Sequence, residues 1–209
     1  MVVELFTSQG CSSCPPADRN LGELARRQGV LALSFHVDYW DYIGWKDPFA
    51  SAAFTERQRG YAKSLKQRYV YTPEMVVGGL AHNSGRDLTK VELLLRAADE
   101  RDGRRARPAL ARAGDGVAVS LPATPGVEGC DVWLVTFDAR HSTQVARGEN
   151  GGATLVNHNV VRSIERLAAW RGEAAAWTVP AARLPASGVA VLVQMADFGP
   201  MVGAARLDR

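Results

Sequence analysis

Two cysteines three positions apart, Cys11 and Cys14, lie between a strand-like and a helix-like segment, and few local structures accommodate that order. The apolar run over residues 2–6 is typical of a short buried strand, and a polar turn follows it. From residue 15 to about 28, apolar residues recur at helical spacing, with two prolines in the first turn. Gly29 ends this helix. The sequence therefore predicts a pair of thiols where a strand meets a helix.

The following segments continue the alternation of strands and helices. Further elements are predicted at residues 30–37 (a strand buried on both faces), 47–66 (helix), 75–77 and 80–82 (strands) and 87–101 (helix). The resulting order is β-α-β-α-β-β-α, which is typical of a two-layer α/β domain. Because the cysteine pair follows the first strand, this order predicts a thioredoxin-like domain over residues 1–103.

The second half of the chain has a different pattern. Strands are predicted at residues 117–121, 132–137 and 189–194, with weaker candidates at 143–146, 154–161, 164–170 and 174–179. Short strands separated by glycine and proline favour a β-rich, sandwich-like domain over residues 104–209. The boundary between the two predicted domains falls near residues 104–108.

A Cys-x-x-Cys pair has two main chemical meanings. A metal site usually needs a second pair, or nearby histidines, for tetrahedral coordination, and no second pair is present. A redox site needs a strand before the pair and a helix after it, and the partial positive charge at the helix start favours a thiolate. The first cysteine, Cys11, is then expected to be exposed and nucleophilic, and Cys14 to resolve the mixed disulfide. An inert pair of thiols remains an alternative.

Two neighbouring segments are candidates for binding a substrate. Thr72–Pro73 precedes a predicted strand and is a candidate cis peptide bond. In thioredoxin-like domains a cis proline lies beside the two cysteines, and this resemblance implies that Thr72 and Pro73 border Cys11. The alternative is a trans proline at the start of an edge strand.

The second candidate segment is aromatic and leaves the end of the second strand, the edge where open α/β sheets bind ligands. Its side chains Tyr39, Trp40 and Trp45 could line a substrate groove, or they could cover the sheet as part of the core. His36 and Asp38 alternate along the strand and could tune the thiols. A structural histidine without a chemical role is the alternative.

Charge and composition exclude several other classes of protein. A net charge of +3 over 209 residues, without a dense basic face, does not predict a nucleic-acid partner. No apolar run approaches the roughly 20 residues of a membrane span, and no signal peptide precedes the first strand. The glycine-rich residues 148–152 lack the lysine of a phosphate loop, so no cofactor is predicted. The third cysteine, Cys130, is expected to be buried and inert.

Several motifs together resemble an uncharacterised bacterial family, the domain-of-unknown-function family 1223. They occupy residues 4–18, 34–40, 44–47, 71–77, 148–150 and 158–162. The resemblance implies a thioredoxin-like domain followed by a β-rich domain. Many relatives carry a signal peptide, which implies a periplasmic or secreted location, although this chain begins without one. The resemblance brings no established substrate.

These observations lead to one main functional hypothesis and two alternatives. The main hypothesis is a thiol–disulfide oxidoreductase that acts through Cys11 and Cys14 on a protein or small-molecule partner. The first alternative is a copper- or zinc-binding module that uses these cysteines and His36. The second is a non-catalytic, thioredoxin-like binding protein. The residues do not indicate whether a redox protein of this kind would oxidise, reduce or isomerise its partner.

Overall fold

A computed structural model describes residues 1–100, 106–184 and 186–208 of the chain. The strands in these residues are β1 (Val2–Thr7), β2 (Leu31–His36), β3 (Glu74–Val77), β4 (Ala81–Asn83), β5 (Ala109–Ala113), β6 (Gly116–Leu121), β7 (Cys130–Gln144), β8 (Thr154–Trp170), β9 (Ala175–Val179), β10 (Gly188–Met195) and β11 (Met201–Asp208). The helices are α1 (Pro15–Ala25), α2 (Ala52–Ser64) and α3 (Leu88–Glu100).

The strands form two sheets in the described residues. The larger has eight strands in the order β11-β10-β7-β8-β2-β1-β3-β4, and the smaller has three in the order β5-β6-β9. In the larger sheet, β2 pairs in parallel with both β1 and β8, and the remaining neighbours are antiparallel. Strand β2 therefore joins strands from the two halves of the chain.

The predicted fold class, a thioredoxin-like α/β domain followed by a separate β-rich sandwich, is wrong. In the described residues, strands hold more of the chain than helices do, and four strands of the second half continue the sheet that the first half begins. All six residues of β2 are buried, so this strand is covered on both faces and needs a hydrogen-bonding neighbour on each side. Residue patterns along the chain show that β2 is buried but not that β8 is its second neighbour.

The two faces of the large sheet carry different core clusters, because successive side chains of a strand point to opposite faces. On one face, α2 covers Phe6 and Phe35 from the first half together with Phe137 and Leu192 from the second. The opposite face is covered in two parts. Helices α1 and α3 pack on β1, β2 and β3, and the small sheet packs on β7 and β10. The cluster under α2 is thus one core built from both halves.

Strands β7 and β8 are longer than predicted, with 15 and 17 residues. The sequence pattern had divided each into two candidates, because the strands pass from a covered region to a partly exposed one and the alternation changes. Together they form a ribbon that runs toward the cysteine pair. The predicted domain boundary at 104–108 lies partly outside the described residues, since 101–105 are not among them.

Candidate functional site

The cysteine pair lies at the junction between β1 and α1 and forms a disulfide. The Cα atoms of Cys11 and Cys14 are 5.5 Å apart. The backbone N–H of Cys14 donates to the carbonyl of Cys11 (3.1 Å), and Cys14 occupies the cap position before Pro15, the first residue of the helix. The spacing and the prolines explain this geometry, since a tight turn and a helix start need only local contacts.

Both cysteines are buried, Cys11 with 1% and Cys14 with 0% of its surface exposed. The expectation of an exposed Cys11 is therefore wrong for the disulfide form. Part of its cover is the ribbon tip, which we define as residues 145–153 between β7 and β8. The side-chain amide of Asn150 donates to the carbonyls of Gln9 (2.9 Å) and Cys11 (3.0 Å). The carboxylate of Glu149 accepts from the backbone N–H of Ser12 (3.1 Å).

Thr72 and Pro73 lie on another side of the cysteine turn. Their peptide bond is cis, and Pro73 is buried. The hydroxyl of Ser13 donates to the carbonyl of Thr72 (3.4 Å) and lies 3.4 Å from the Sγ atom of Cys11. The indole N–H of Trp40 donates to the Thr72 hydroxyl (2.7 Å). Thr72 is thus brought next to the cysteine turn, together with Trp40.

The three aromatic candidates are partly buried and hydrogen-bonded to different parts of the site. The indole N–H of Trp45 donates to the amide oxygen of Gln9 (3.2 Å), just before the cysteine turn. The hydroxyl of Tyr39 donates to Gln58 on α2 (3.1 Å) and so lies farther back. Burial raises the pKa of Tyr39 to about 12, so its phenol is neutral at physiological pH. Tyr42, in the short 3-10 helix at residues 41–43, is 82% exposed.

His36 and Asp38 occupy different environments. The Nδ1 atom of His36 lies 2.7 Å from the carboxylate of Asp47, and both side chains are fully buried. Asp38 instead accepts a hydrogen bond from Thr55 on α2 (2.6 Å). The structure therefore places His36 in the layer beneath the cysteine turn and joins Asp38 to the start of α2.

A buried polar cluster fills the end of the layer between α1 and the sheet, below the cysteine turn. Its members are Thr7, Asp18, Ser34, His36, Asp47 and Asn157. Thr7, Ser34 and His36 continue the faces of β1 and β2 that carry Leu5 and Ala32, the residues covered by α1. In the described part of the chain, four of its side-chain atoms make no hydrogen bond of normal geometry: Thr7 Oγ1, Asp18 Oδ1, Ser34 Oγ and His36 Nε2.

The two carboxyl groups of this cluster differ in their electrostatics. Burial raises the pKa of Asp18 to about 6, although the charge of His36 acts in the opposite direction. Burial also acts to raise the pKa of Asp47. Its net pKa is nevertheless lowered, because His36 and the backbone N–H groups of Gln9 and Phe49 stabilise the carboxylate. Asp47 is thus held ionised, whereas Asp18 can carry a proton near neutral pH.

The metal-binding alternative has little support in the described residues. They contain no group of three or more histidine, cysteine or acidic side chains arranged to hold an ion. His36 is already engaged by Asp47. Cys130 is buried with its sulfur 3.5 Å from that of Met195, and burial raises the pKa of its thiol.

Within the described residues, no helix is both long and apolar enough to cross a membrane.

Sequence reasoning missed several residues that meet at this site, namely Gln9, Asp18, Asp47, Glu149, Asn150 and Asn157. One local signal was present. Asp18 follows Cys14 by four positions on the predicted helix, so both side chains share one face. Gln9 lies only two positions before Cys11, whereas the remaining four come from later loops and from β8, and no spacing rule links those four to the cysteines. The glycine-rich segment at 148–152, interpreted as a plain turn, forms part of the cover over Cys11.

The fold and the site define a protein built on one large mixed sheet, with a cysteine pair oxidised to a disulfide at the start of its first helix. A model of a family described as a protein of unknown function, DUF1223, matches residues 2–194. The chain therefore belongs to the DUF1223 family, which confirms the resemblance drawn from its motifs.

The chain is also similar to a protein of Agrobacterium tumefaciens with a solved X-ray crystal structure. The two share 35% sequence identity and superpose with a TM-score of 0.87. The alignment covers 99% of this chain and 92% of the other. The similarity therefore extends over both halves and over the large sheet that joins them. A search of curated proteins found no significant match.

Proposed function

We propose that this protein is a thiol–disulfide oxidoreductase that uses Cys11 and Cys14. The observation that carries the proposal is the disulfide between these residues, at the start of α1 and next to Thr72. Two cysteines that already have disulfide geometry can change between the dithiol and the disulfide without rearranging the fold. The start of a helix favours the thiolate that such exchange requires.

The proposed reaction has two steps. In the first, the thiolate of Cys11 attacks one sulfur of a partner disulfide, so that a mixed disulfide forms and one partner thiolate leaves. In the second, the sulfur of Cys14 attacks Cys11, the bond from Cys11 to the partner breaks, and the second partner thiolate leaves. The dithiol loses two electrons and the partner disulfide gains them. The reverse sequence would transfer a disulfide to a partner.

Cys11 is assigned the nucleophilic role because of the chain around it. It follows the last strand residue, Thr7, by a short turn, and part of its cover is the ribbon tip, whose hydrogen bonds to the turn involve side chains. Cys14 lies inside the helix cap and is covered by the layer below α1. Displacement of the ribbon tip would expose Cys11 first. Trp40, Trp45 and Tyr42 would border a partner that approaches from that side.

A redox titration tests the proposal directly. The protein is equilibrated in graded mixtures of reduced and oxidised glutathione, alkylated, and its free thiols are counted by mass. We expect a reversible two-electron transition of Cys11 and Cys14, with Cys130 unchanged because it is buried. A Cys130→Ser variant is the matched control and should titrate with the same midpoint. A disulfide that never opens, or a pair that never closes, would contradict the proposal and favour a non-catalytic binding protein.

Two single variants distinguish the roles of the cysteines. We expect Cys14→Ser to accumulate a stable mixed disulfide with glutathione, since the resolving thiol is missing. Cys11→Ser should form no adduct at residue 11 and should lose exchange activity. Wild-type exchange by both variants would refute the assignment.

A periplasmic or secreted location is part of the proposal and has a separate basis, since it is what the resemblance to the family implies. Disulfide exchange is common in such oxidising compartments. The proposed partner is a protein or a small thiol, and the midpoint of the titration indicates whether the protein oxidises or reduces it. A value near −270 mV would fit a reductant and one near −120 mV an oxidant, both approximate reference potentials.

A further inference from the structure

The resolving step of the proposed reaction requires a group that removes a proton. A thiol is a weak nucleophile and its thiolate a strong one, and a buried thiol in apolar surroundings holds its proton more tightly. Cys14 is fully buried, so it needs a nearby base that is also shielded from water. The buried polar cluster below the cysteine turn contains two carboxyl groups and one imidazole that could serve.

Asp18 is the carboxyl group closest to Cys14 along the helix. The backbone N–H of Asp18 donates to the carbonyl of Cys14 (3.1 Å), the hydrogen bond of one helical turn. Residues four apart on a helix present neighbouring side chains, with Cβ atoms about 5–6 Å apart. Asp18 is 5% exposed and Cys14 0%, so both side chains lie on the covered side of α1. A carboxyl group in this position can reach the thiol directly or through one water.

The rest of the cluster leaves Asp18 available for this task. Its Oδ1 atom makes no hydrogen bond of normal geometry with any described residue. The charged groups that act on it are His36 from β2 and Asp47 from the loop after β2. Thr7 and Asn157, which do not titrate, adjoin it from β1 and β8 and favour its charged form. Asp47, by contrast, accepts three hydrogen bonds, from His36, Gln9 and Phe49, and is fully committed.

We propose that Asp18 accepts the proton of the Cys14 thiol when Cys14 attacks the mixed disulfide. The assignment rests on the proposed oxidoreductase function and deepens it. As the S–S bond between Cys14 and Cys11 forms, the S–H bond of Cys14 breaks and its proton passes to the Asp18 carboxylate. The bond from Cys11 to the partner breaks, and the partner leaves with the electron pair. In the reverse direction, Asp18 returns the proton to Cys14.

Two carboxyl groups with different proton affinities, both of which interact electrostatically with one histidine, suit this role. Asp47 stays ionised and holds His36 in a fixed orientation through the 2.7 Å contact. Asp18, whose pKa burial raises to about 6, changes its protonation within the range in which thiol exchange operates. A group whose proton affinity lies near the working pH is the most efficient proton acceptor.

The test separates the two exchange steps. Reduced protein is mixed with oxidised glutathione and quenched with acid at increasing times, and the adduct on Cys11 and the internal disulfide are counted by mass. The proteins compared are wild type, Asp18→Asn, Glu23→Gln, and Cys14→Ser with and without Asp18→Asn. Glu23 lies on the same helix with an exposed side chain, which makes Glu23→Gln the matched control.

We expect Asp18→Asn to slow resolution at pH 7 on the order of a hundredfold, the usual contribution of a positioned base, so that the Cys11 adduct accumulates. Glu23→Gln should resolve like wild type. In the Cys14→Ser background, Asp18→Asn should leave adduct formation unchanged. The role of Asp18 is overturned if Asp18→Asn resolves the adduct at the wild-type rate. It is also overturned if Asp18→Asn slows adduct formation in the Cys14→Ser background as much as it slows resolution. Neither result contradicts the proposed function. No adduct in any variant overturns the proposed function and this assignment with it.

A second measurement applies to the wild-type protein and does not depend on how the variant folds. The carboxyl carbon of Asp18 is titrated by NMR in the disulfide and dithiol forms. We expect the titration in the dithiol form to differ from that in the disulfide form, because only in the dithiol form can the Asp18 carboxyl group exchange a proton with the Cys14 thiol. Equal values in the two forms would overturn the proposal.

Discussion

At the scale of single residues, the charge of each buried carboxyl group in the site depends on the hydrogen bonds that it accepts. Asp18 and Asp47 belong to the same cluster, yet Asp18 keeps its proton up to about pH 6 and Asp47 stays charged. The difference follows from their hydrogen bonds. Asp47 accepts from two backbone N–H groups and contacts His36, whereas one oxygen of Asp18 makes no hydrogen bond of normal geometry in the described residues. Burial without compensation disfavours a charged carboxylate.

The raised pKa of Asp18 predicts how stability depends on pH. A folded-state pKa of about 6, against 3.8 for the unconstrained group, gives stability that is present below pH 3.8 and lost as the pH rises through about 6. The loss corresponds to up to about 3 kcal/mol. We therefore expect Asp18→Asn to gain stability relative to wild type between pH 4 and pH 8, measured by urea unfolding of the disulfide form.

The control for this prediction is Glu23→Gln, whose difference from wild type should not change over the same pH range, because its side chain is exposed. A pH-independent difference between Asp18→Asn and wild type would contradict the prediction.

At the scale of elements, the ribbon formed by β7 and β8 carries out two tasks. Its middle part joins the sheet through β2, where Ser34 is paired with Val160. Its tip extends to the cysteine turn, where Asn150 and Glu149 bond to backbone groups. Because the tip bonds to the turn through side chains, it can separate from the turn without breaking strand pairing. The same ribbon therefore forms part of the large sheet and limits access to Cys11.

This arrangement predicts that Asn150 slows reduction of the disulfide. Its amide makes two hydrogen bonds to the cysteine turn, and their net contribution is about 1 kcal/mol each. We expect Asn150→Ala to increase the rate of reduction by dithiothreitol by about tenfold, since the tip would separate more often. The rate is followed by counting alkylated thiols by mass.

The matched control is Gln144→Ala, at the other end of the same loop. Gln144 bonds to the carbonyl of Gly152 and to Thr154, within the ribbon and away from the cysteine turn. Its removal should leave the reduction rate unchanged. An equal increase for both variants would indicate general loosening of the ribbon and would contradict a specific role of Asn150.

At the scale of the whole molecule, a buried ion pair links elements from both halves. Arg57 on α2 donates to Glu4 on β1 (2.6 Å) and to Gln194 on β10 (3.1 Å). Tyr61, one turn further along α2, hydrogen-bonds to Glu4 and lies under the guanidinium group. All four side chains are buried. A guanidinium group with partners on two distant strands holds α2 on a sheet composed of both halves.

We expect Arg57→Met to lower the free energy of unfolding by about 3–5 kcal/mol, because Glu4 would remain buried without its partner. Arg59→Met is the control, since Arg59 lies two positions further along α2, is exposed and pairs with exposed Glu56. Its effect should be within about 0.5 kcal/mol. Equal denaturation midpoints for wild type and Arg57→Met would refute the prediction.

How well the sequence predicted each feature depended on how far apart in the chain the contacting residues lie. The first hundred residues contain strands and helices close to the predicted positions, because apolar periodicity, prolines and glycines act over a few residues. The strands of the second half were only partly predicted, and β8 was divided in two. Of the residues predicted for the candidate site, the structure places Thr72 and Trp40 near the cysteine pair. Asp38 was assigned to the same site but bonds to Thr55 on α2.

The sequence by itself determined the local chemistry, which comprises a strand, a two-cysteine turn with prolines behind it, and a helix with Asp18 on the same face as Cys14. Only the tertiary structure decided that β8 pairs with β2, that Asn150 covers Cys11, and that Gln9 contacts Asn157, 148 positions away. The physical reason is the same in each case. Helix and turn formation depend on near neighbours, whereas strand pairing and loop contacts depend on distant surfaces that fit only once the chain has folded.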